Sequence, residues 1–259
     1  MVRSTPPLRA EDPIPGFRLS SSAAVDALQR DLLAGACRIP LLPLGSDAVY
    51  IWVPGNGHLQ LQWAWLLASG SWPDPQDSAS ATAAAEVQTL ALAHTRWLHA
   101  DQLEGLAGHR SLVAVWRDPI ERFVAACRRR LHALPCGEGH ATPVERMNQV
   151  ALALEPSWPR DWDWCLRTLP QSRFLSGRAD LYTTLLDPAS IPDLVAHWSR
   201  VRGTPIPGAP AEEAQPTLHV EDLLPEAVQA LERTYAEDRA FLALARARLG
   251  SASPFPGRS

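Results

Sequence analysis

Gly55-Asn56-Gly57-His58 follows the apolar run Ala48–Val53 and Pro54, and it leads into a second, helix-like apolar run, Leu59–Ala68. Glycines let a backbone approach a ligand closely, and the unpaired N–H groups and dipole at a helix start favour negative charge. The pattern therefore suits an anion-binding loop, and equally a plain tight turn. It matches neither the Gly-rich lysine loop of nucleotide hydrolases nor the dinucleotide fingerprint. Gln60 can add a neutral donor. His58 is either a structural histidine or a general base for a hydroxyl group, and His94, His99 and His109 are secondary candidates for that base.

A second constellation begins at Arg117, directly after the apolar run Ser111–Trp116. Ligands of open α/β sheets bind at the carboxyl ends of strands, and a planar guanidinium suits bidentate contact with phosphate or sulfate. Arg117 either plays that part or pairs structurally with Asp118 or Glu121. Asp118, Pro119 and Glu121 together form a helix start: a capping side chain, a proline at the first helical position and an acid three residues after the cap.

All 24 basic residues of the 259 are Arg, and none is Lys, so lysine chemistry of any kind is excluded. Anions must be held by Arg, His, backbone amides or neutral donors. The net charge of −4, with no dense basic stripe, argues against nucleic acid; the run Arg128–Arg130 is expected to be a solvated helix face. Four cysteines at irregular spacing (37, 127, 136 and 165) form neither a disulfide framework nor a metal pattern, and Cys136 with His140 is too small a set for a site. No metal is expected. The chain lacks an apolar leader and any apolar stretch of about 18 residues. It is expected to be cytoplasmic, with reduced thiols and no membrane contact.

Apolar spacing predicts helices over Ser20–Gly35, Leu59–Ala68, Ala83–His99, from Pro119 through Leu134, Pro143–Leu154 and Ile191–Arg202, and one continuous helix from Leu224 to the C-terminus. Strands are expected at Ala48–Val53, Ser111–Trp116 and Arg173–Leu175. Loops are expected at 70–82, 134–143 and 204–216, flexible segments at 1–16 and 250–259, and a single domain over 17–249. Strands alternating with helices give an α/β fold. The ten tryptophans, Trp52, Trp63, Trp65 and Trp116 among them, are expected mainly in the core.

The order of several motifs resembles the sulfotransferases, especially the carbohydrate-type and bacterial branch. Arg117-Asp-Pro-Ile-Glu-Arg-Phe is similar to that family's R-D-P-x-x-R-F signature, and the stretch ending Val53-Pro54 stands where the family has its 5′-phosphosulfate loop. Leu169–Leu175 resembles P-Q-x-x-F-L, Asp180-Leu-Tyr182 resembles D-L-Y, and Tyr235–Phe241 resembles Y-x-x-D-x-x-F. The resemblance implies a P-loop-kinase-like three-layer fold with a central parallel sheet flanked by helices. It implies 3′-phosphoadenosine-5′-phosphosulfate (PAPS) as co-substrate and a hydroxyl of a carbohydrate or small molecule as acceptor. Gly55, Asn56, Gly57, His58, Gln60 and Arg117 would then hold the donor, with His58 as the base. The sequence departs from the pattern in three places: Gly55 replaces the loop Lys, Leu59-Gln60 stand where hydroxyls are expected, and Ala125 replaces the Ser eight residues after Arg117. A fold retained for binding or assembly without transfer is the alternative these departures suggest.

Overall fold

Ser21 starts the first helix by accepting the Ala24 N–H on its Oγ, and α1 (Ser22–Leu33) buries Leu28 and Leu32. The computed structural model describes residues 18–19, 21–44, 48–69, 81–130, 141–154, 162–202, 206 and 217–249. These form an α/β fold around a five-stranded mixed sheet flanked by helices. The strands are β1 (Arg38–Pro43), β2 (Ala48–Ile51), β3 (Arg96–His99), β4 (Ser111–Val115) and β5 (Thr184–Leu186), in the order β3-β1-β2-β4-β5. The expected all-parallel sheet is parallel across β2, β4 and β5, with Ile51 opposite Ala114 and Ala114 opposite Leu185. β1 runs antiparallel to both its neighbours.

β1 escapes a sequence reading because Pro40 and Pro43 lack the N–H groups that a ladder uses. Here the Pro40 carbonyl still accepts the Trp52 N–H at 3.1 Å, and Ile39, Leu41 and Leu42 are buried. The helix expected to run to His99 instead ends at His94, as α3 (Ala81–His94). Thr95 closes it: its hydroxyl donates to the Ala91 carbonyl at 2.8 Å and accepts the Trp52 indole N–H at 3.1 Å. The four residues that follow pair with β1.

Two further expectations are corrected. Ser172–Leu175 is a helical turn, not a strand, because the Asp238 carboxylate accepts the N–H groups of Gln171 and Ser172, each at 2.8 Å. The third parallel strand lies further on, at β5. The C-terminal helix is two helices, meeting at Tyr235, whose φ of −104° and ψ of 22° leave the helical region. Its hydroxyl donates to the Thr168 carbonyl at 2.7 Å.

The helices after α1 are α2 (His58–Ser69), α3, α4 (Ala100–Ala107), α5 (Pro119–Arg130), α6 (Pro143–Leu152), α7 (Trp162–Thr168), α8 (Ser172–Leu175), α9 (Ile191–Arg202), α10 (Pro225–Thr234) and α11 (Ala236–Leu249). The main core lies on the sheet and includes Trp52, Trp63, Trp65 and Trp116, all buried as expected. A second core joins α5, α6, α7 and α10 through Phe123, Met147, Trp164, Leu231 and Tyr235. Arg128–Arg130 is not a solvated face. All three are half-buried, Arg128 Nε donates to the Leu218 carbonyl at 2.7 Å, and Arg130 Nε lies 3.2 Å from Asp163. Residues 1–16 and 250–259 lie outside the described residues, as do Cys136, His140 and most of the expected loops at 70–82, 134–143 and 204–216. Among the described residues no helix is long and apolar enough to cross a membrane.

Candidate functional site

The carboxyl ends of β2 and β4 lie side by side because the two strands pair in parallel. From β2 the chain passes through Trp52-Val53-Pro54 into Gly55-Asn56-Gly57 and then α2. Gly55 and Gly57 adopt φ of 91° and 71°, left-handed conformations that side chains with a Cβ resist. A Cβ on Gly55 would sit 3.2 Å from Arg122 Nε, and one on Gly57 would sit 2.4 Å from Ile191 Cδ1. The backbone angle thus favours glycine at both positions, and any Cβ would also displace the Arg122 or Ile191 side chain.

Arg122 on α5 holds this loop from behind. It is almost wholly buried, and its guanidinium donates to the carbonyls of Pro54 at 2.8 Å, Leu169 at 2.7 Å and Leu166 at 2.9 Å. Burial pushes its pKa down to about 10, with the Tyr235 hydroxyl and the Asp238 carboxylate working in the other direction. The group stays charged at neutral pH and stitches the loop to the α7–α8 connection.

Gln171 joins the two strand ends. Its Oε1 accepts from Asn56 Nδ2 at 2.5 Å and from the Arg117 N–H at 3.3 Å, while its Nε2 donates to the Arg117 carbonyl at 2.8 Å. Asn56 Nδ2 also donates to the Val115 carbonyl at 2.9 Å. The buried Asn56 side chain thus points inward as a strut, and its backbone N–H closes the turn onto Val53 at 3.1 Å. After the loop α2 begins at His58, and the first N–H groups of a helix lack intrahelical partners.

Arg117 is brought to the same edge. Its side chain is 25% exposed, with Nε 3.8 Å from Glu121 Oε2. Burial lowers its pKa from the ordinary guanidinium value, and Glu121 opposes that shift. The cap expected at α5 is present: Asp118 Oδ1 accepts the N–H groups of Ile120 at 2.9 Å and Glu121 at 3.2 Å. Both structural pairing and ligand contact are open to Arg117, because a pair at 3.8 Å leaves the guanidinium fork largely unspent.

The other sequence candidates are placed as follows. His58 is the first residue of α2, and its ring lies outside the described side chains. Gln60 is half-buried on the same helix, and Ala125 is half-buried on α5. His94, His99 and His109 lie at the end of α3, the end of β3 and the start of the β4 approach. Among the described residues no group of three His, Cys, Asp or Glu could hold a metal ion.

Arg122, Gln171 and Asp238 received no role from the sequence, although each stands within a motif that had drawn notice there. No local signal marked them, because Arg122 follows Glu121, Gln171 precedes Ser172 and Arg173, and Asp238 stands between Glu237 and Arg239. No family model, curated protein or solved structure matches this chain.

Proposed function

We propose that the chain is a sulfotransferase-like protein, binding PAPS across the β2–α2 loop and Arg117 and transferring its sulfuryl group to a hydroxyl of a carbohydrate or small molecule. The observation that carries this reading is the pairing of two anion-suited elements at one sheet edge. A double-glycine loop opens a helix, and a quarter-exposed arginine stands at the end of the adjacent parallel strand. The same arrangement supports a P-loop-kinase-like assignment for the fold, with β2–loop–α2 as the phosphosulfate-binding unit.

In this reading the first amides of α2 take the 5′-phosphosulfate and Arg117 takes the 3′-phosphate. Gln171 keeps the two contacts in fixed register. His58 receives the acceptor's hydroxyl proton as the new O–S bond forms. The bond from sulfur to the bridging oxygen breaks, and adenosine 3′,5′-bisphosphate leaves with the electron pair. Catalysis of this kind depends on positioning and on stabilising charge at the leaving oxygens.

Calorimetric titration with adenosine 3′,5′-bisphosphate tests the reading. Saturable binding is expected, weakened about 10- to 100-fold by Arg117→Ala through loss of a charge-assisted contact. The thermal midpoint of that variant should match the parent, since a half-exposed pair at 3.8 Å contributes little to folding. Absence of binding at millimolar nucleotide overturns the proposal.

A second reading follows from Gly55. Its left-handed backbone angle, and the Arg122 guanidinium that a Cβ would meet at 3.2 Å, disfavour the lysine that the resembled family places there. The fold would then serve nucleotide binding or assembly without transfer. Turnover of PAPS with an acceptor, abolished by Arg117→Ala, rules this second reading out; nucleotide binding without turnover supports it.

A further inference from the structure

A small open cleft lies beside the loop. Trp52 and Pro54, just after β2, give it apolar walls with Leu92 from α3 and Leu166 from α7, and Gln62 from α2 and Asp163 from α7 give it polar ones. The Trp52 indole N–H is spent on Thr95 at 3.1 Å, so that side chain offers its ring alone. Gln62 is 1% exposed, and its Oε1 accepts no hydrogen bond. Buried polar groups are nearly always bonded, so an orphaned acceptor in a cleft wall calls for a donor from outside the chain.

Asp163 adds a second acceptor. Arg167 Nε donates to its Oδ2 at 2.9 Å and Arg130 Nε lies 3.2 Å from the same oxygen, while Oδ1 accepts no bond among the described residues. Burial raises the Asp163 pKa, but the bond and charge of Arg167, with the charges of Arg130 and Arg129, outweigh it and hold the carboxyl below its ordinary value. The carboxylate is therefore ionised at neutral pH and already neutralised by its own guanidiniums. A ligand cation would gain little from it and would meet those guanidiniums, and a ligand anion would face two acceptors. An uncharged hydroxyl fits: it donates to an acceptor, rotates to suit it and brings no charge.

We infer that this cleft binds an uncharged polyol, with one hydroxyl donating to Gln62 Oε1, a second donating to Asp163, and the C–H face of the ligand against Trp52, Leu92 and Leu166. None of the residues given to PAPS is used. As a polyol site the cleft stands independently of the sulfuryl-transfer reading. As the seat of the transfer acceptor it rests on that reading, and it then specifies an acceptor whose anchoring unit carries no charge.

The test titrates the full chain at constant ionic strength with glucose, glucuronate and protonated glucosamine, one ring carrying in turn no charge, a carboxylate and an ammonium. Saturable glucose binding is expected, with both charged rings severalfold weaker. Gln62→Met keeps the side-chain length and a good helix former but loses the acceptor, and it should weaken glucose about 10-fold. Its thermal midpoint should stand at or above the parent's, because an unbonded buried acceptor has been removed; an amide already satisfied within the protein would lower it instead. Gln62→Leu repeats both measurements with a second side chain. Absence of saturable glucose binding leaves the amide to water and overturns the proposal. Equal glucose binding in the parent and both variants, tighter binding of either charged ring, or a lower midpoint in both variants overturns it as well. Adenosine 3′,5′-bisphosphate titrated into the same proteins reads the nucleotide site separately: its failure with the glucose result intact removes only the transfer reading.

Discussion

At the scale of single residues, Gly55 carries the most information. Read as sequence, it is a missing lysine. In three dimensions it is a position where a side chain is strained, because φ is 91° and a Cβ would sit 3.2 Å from Arg122 Nε. Placing there the lysine of the family that the sequence resembles should therefore harm the protein. Gly55→Lys is expected to cost about 1–2 kcal/mol from the left-handed backbone alone. That corresponds to a fall in the thermal midpoint of roughly 2–8 °C for a domain of this size, with added cost from displacing the Arg122 guanidinium off the Pro54 carbonyl. Thermal unfolding followed by circular dichroism, beside bisphosphate titration, checks this. A stable Gly55→Lys protein with tighter binding would show that the loop adapts and that glycine marks a simple loss. Arg122 itself was readable only as part of a motif. Its bonds run to three carbonyls more than forty residues away in sequence, and no local pattern announces such a partner set.

At the scale of elements, β2, β4 and α5 were legible and β1, β3 and β5 were not, for one physical reason. β2 and β4 are apolar runs buried on both faces, and α5 carries its own cap and a regular apolar face, so local sequence and tertiary environment agree. β1 contains two prolines, β3 is four residues long and follows a helix directly, and β5 is three residues long. Those strands exist because neighbours pair with them, and tertiary pairing overrides weak local preference. The short helix α8 is the inverse case: Asp238, more than sixty residues downstream, caps it. The candidate site divides similarly. The loop and Arg117 were visible from glycine and strand-end positions, whereas the Gln171 clamp joining them depends on a remote capping contact.

That contact makes α8 pH-sensitive. Burial raises the Asp238 carboxyl above its ordinary value, against the bonds from Ser172, Gln171 and the charge of Arg122. Between the unfolded and folded pKa the native chain keeps a proton that the unfolded chain has lost, so this group's contribution is full below the unfolded value and declines as pH rises through the folded one. Asp238→Asn keeps one acceptor for two N–H groups, and it should cost about 1–3 kcal/mol at low pH. Because the variant lacks the titration, its stability deficit should narrow as pH rises above about 4. Urea unfolding across a pH series measures this. A deficit that widens with pH would mean that the bonds to the charged carboxylate outweigh its burial.

At the scale of the whole molecule, the candidate site draws on segments spread from Pro54 to Asp238, so its integrity is tied to the integrity of the fold. The C-terminal helix α11 shows this most directly. It brings Asp238 to the amides of Gln171 and Ser172, and it buries Phe241 against Trp116, with ring centroids 5.3 Å apart, and against Tyr182 at 5.8 Å. Trp116 immediately precedes Arg117, so the helix supports the β4 end of the site through packing and the Gln171 clamp through hydrogen bonds. Removing Phe241 alone should cost about 3–5 kcal/mol, a large share of the roughly 5–15 kcal/mol that holds a domain together. A chain ending at Thr234 loses Phe241, Ala245 and the Asp238 cap at once. It is expected to show no cooperative urea transition and no bisphosphate binding. Phe241→Leu, which keeps most of the apolar volume, should unfold cooperatively at lower urea and still bind. If the shortened chain instead unfolded cooperatively and bound nucleotide at parental affinity, α11 would be an appendage, and the loop and Arg117 would hold their register without the contacts from Asp238. The distances argue otherwise: both oxygens of that carboxylate are engaged at 2.8 Å by the two residues that begin the clamp.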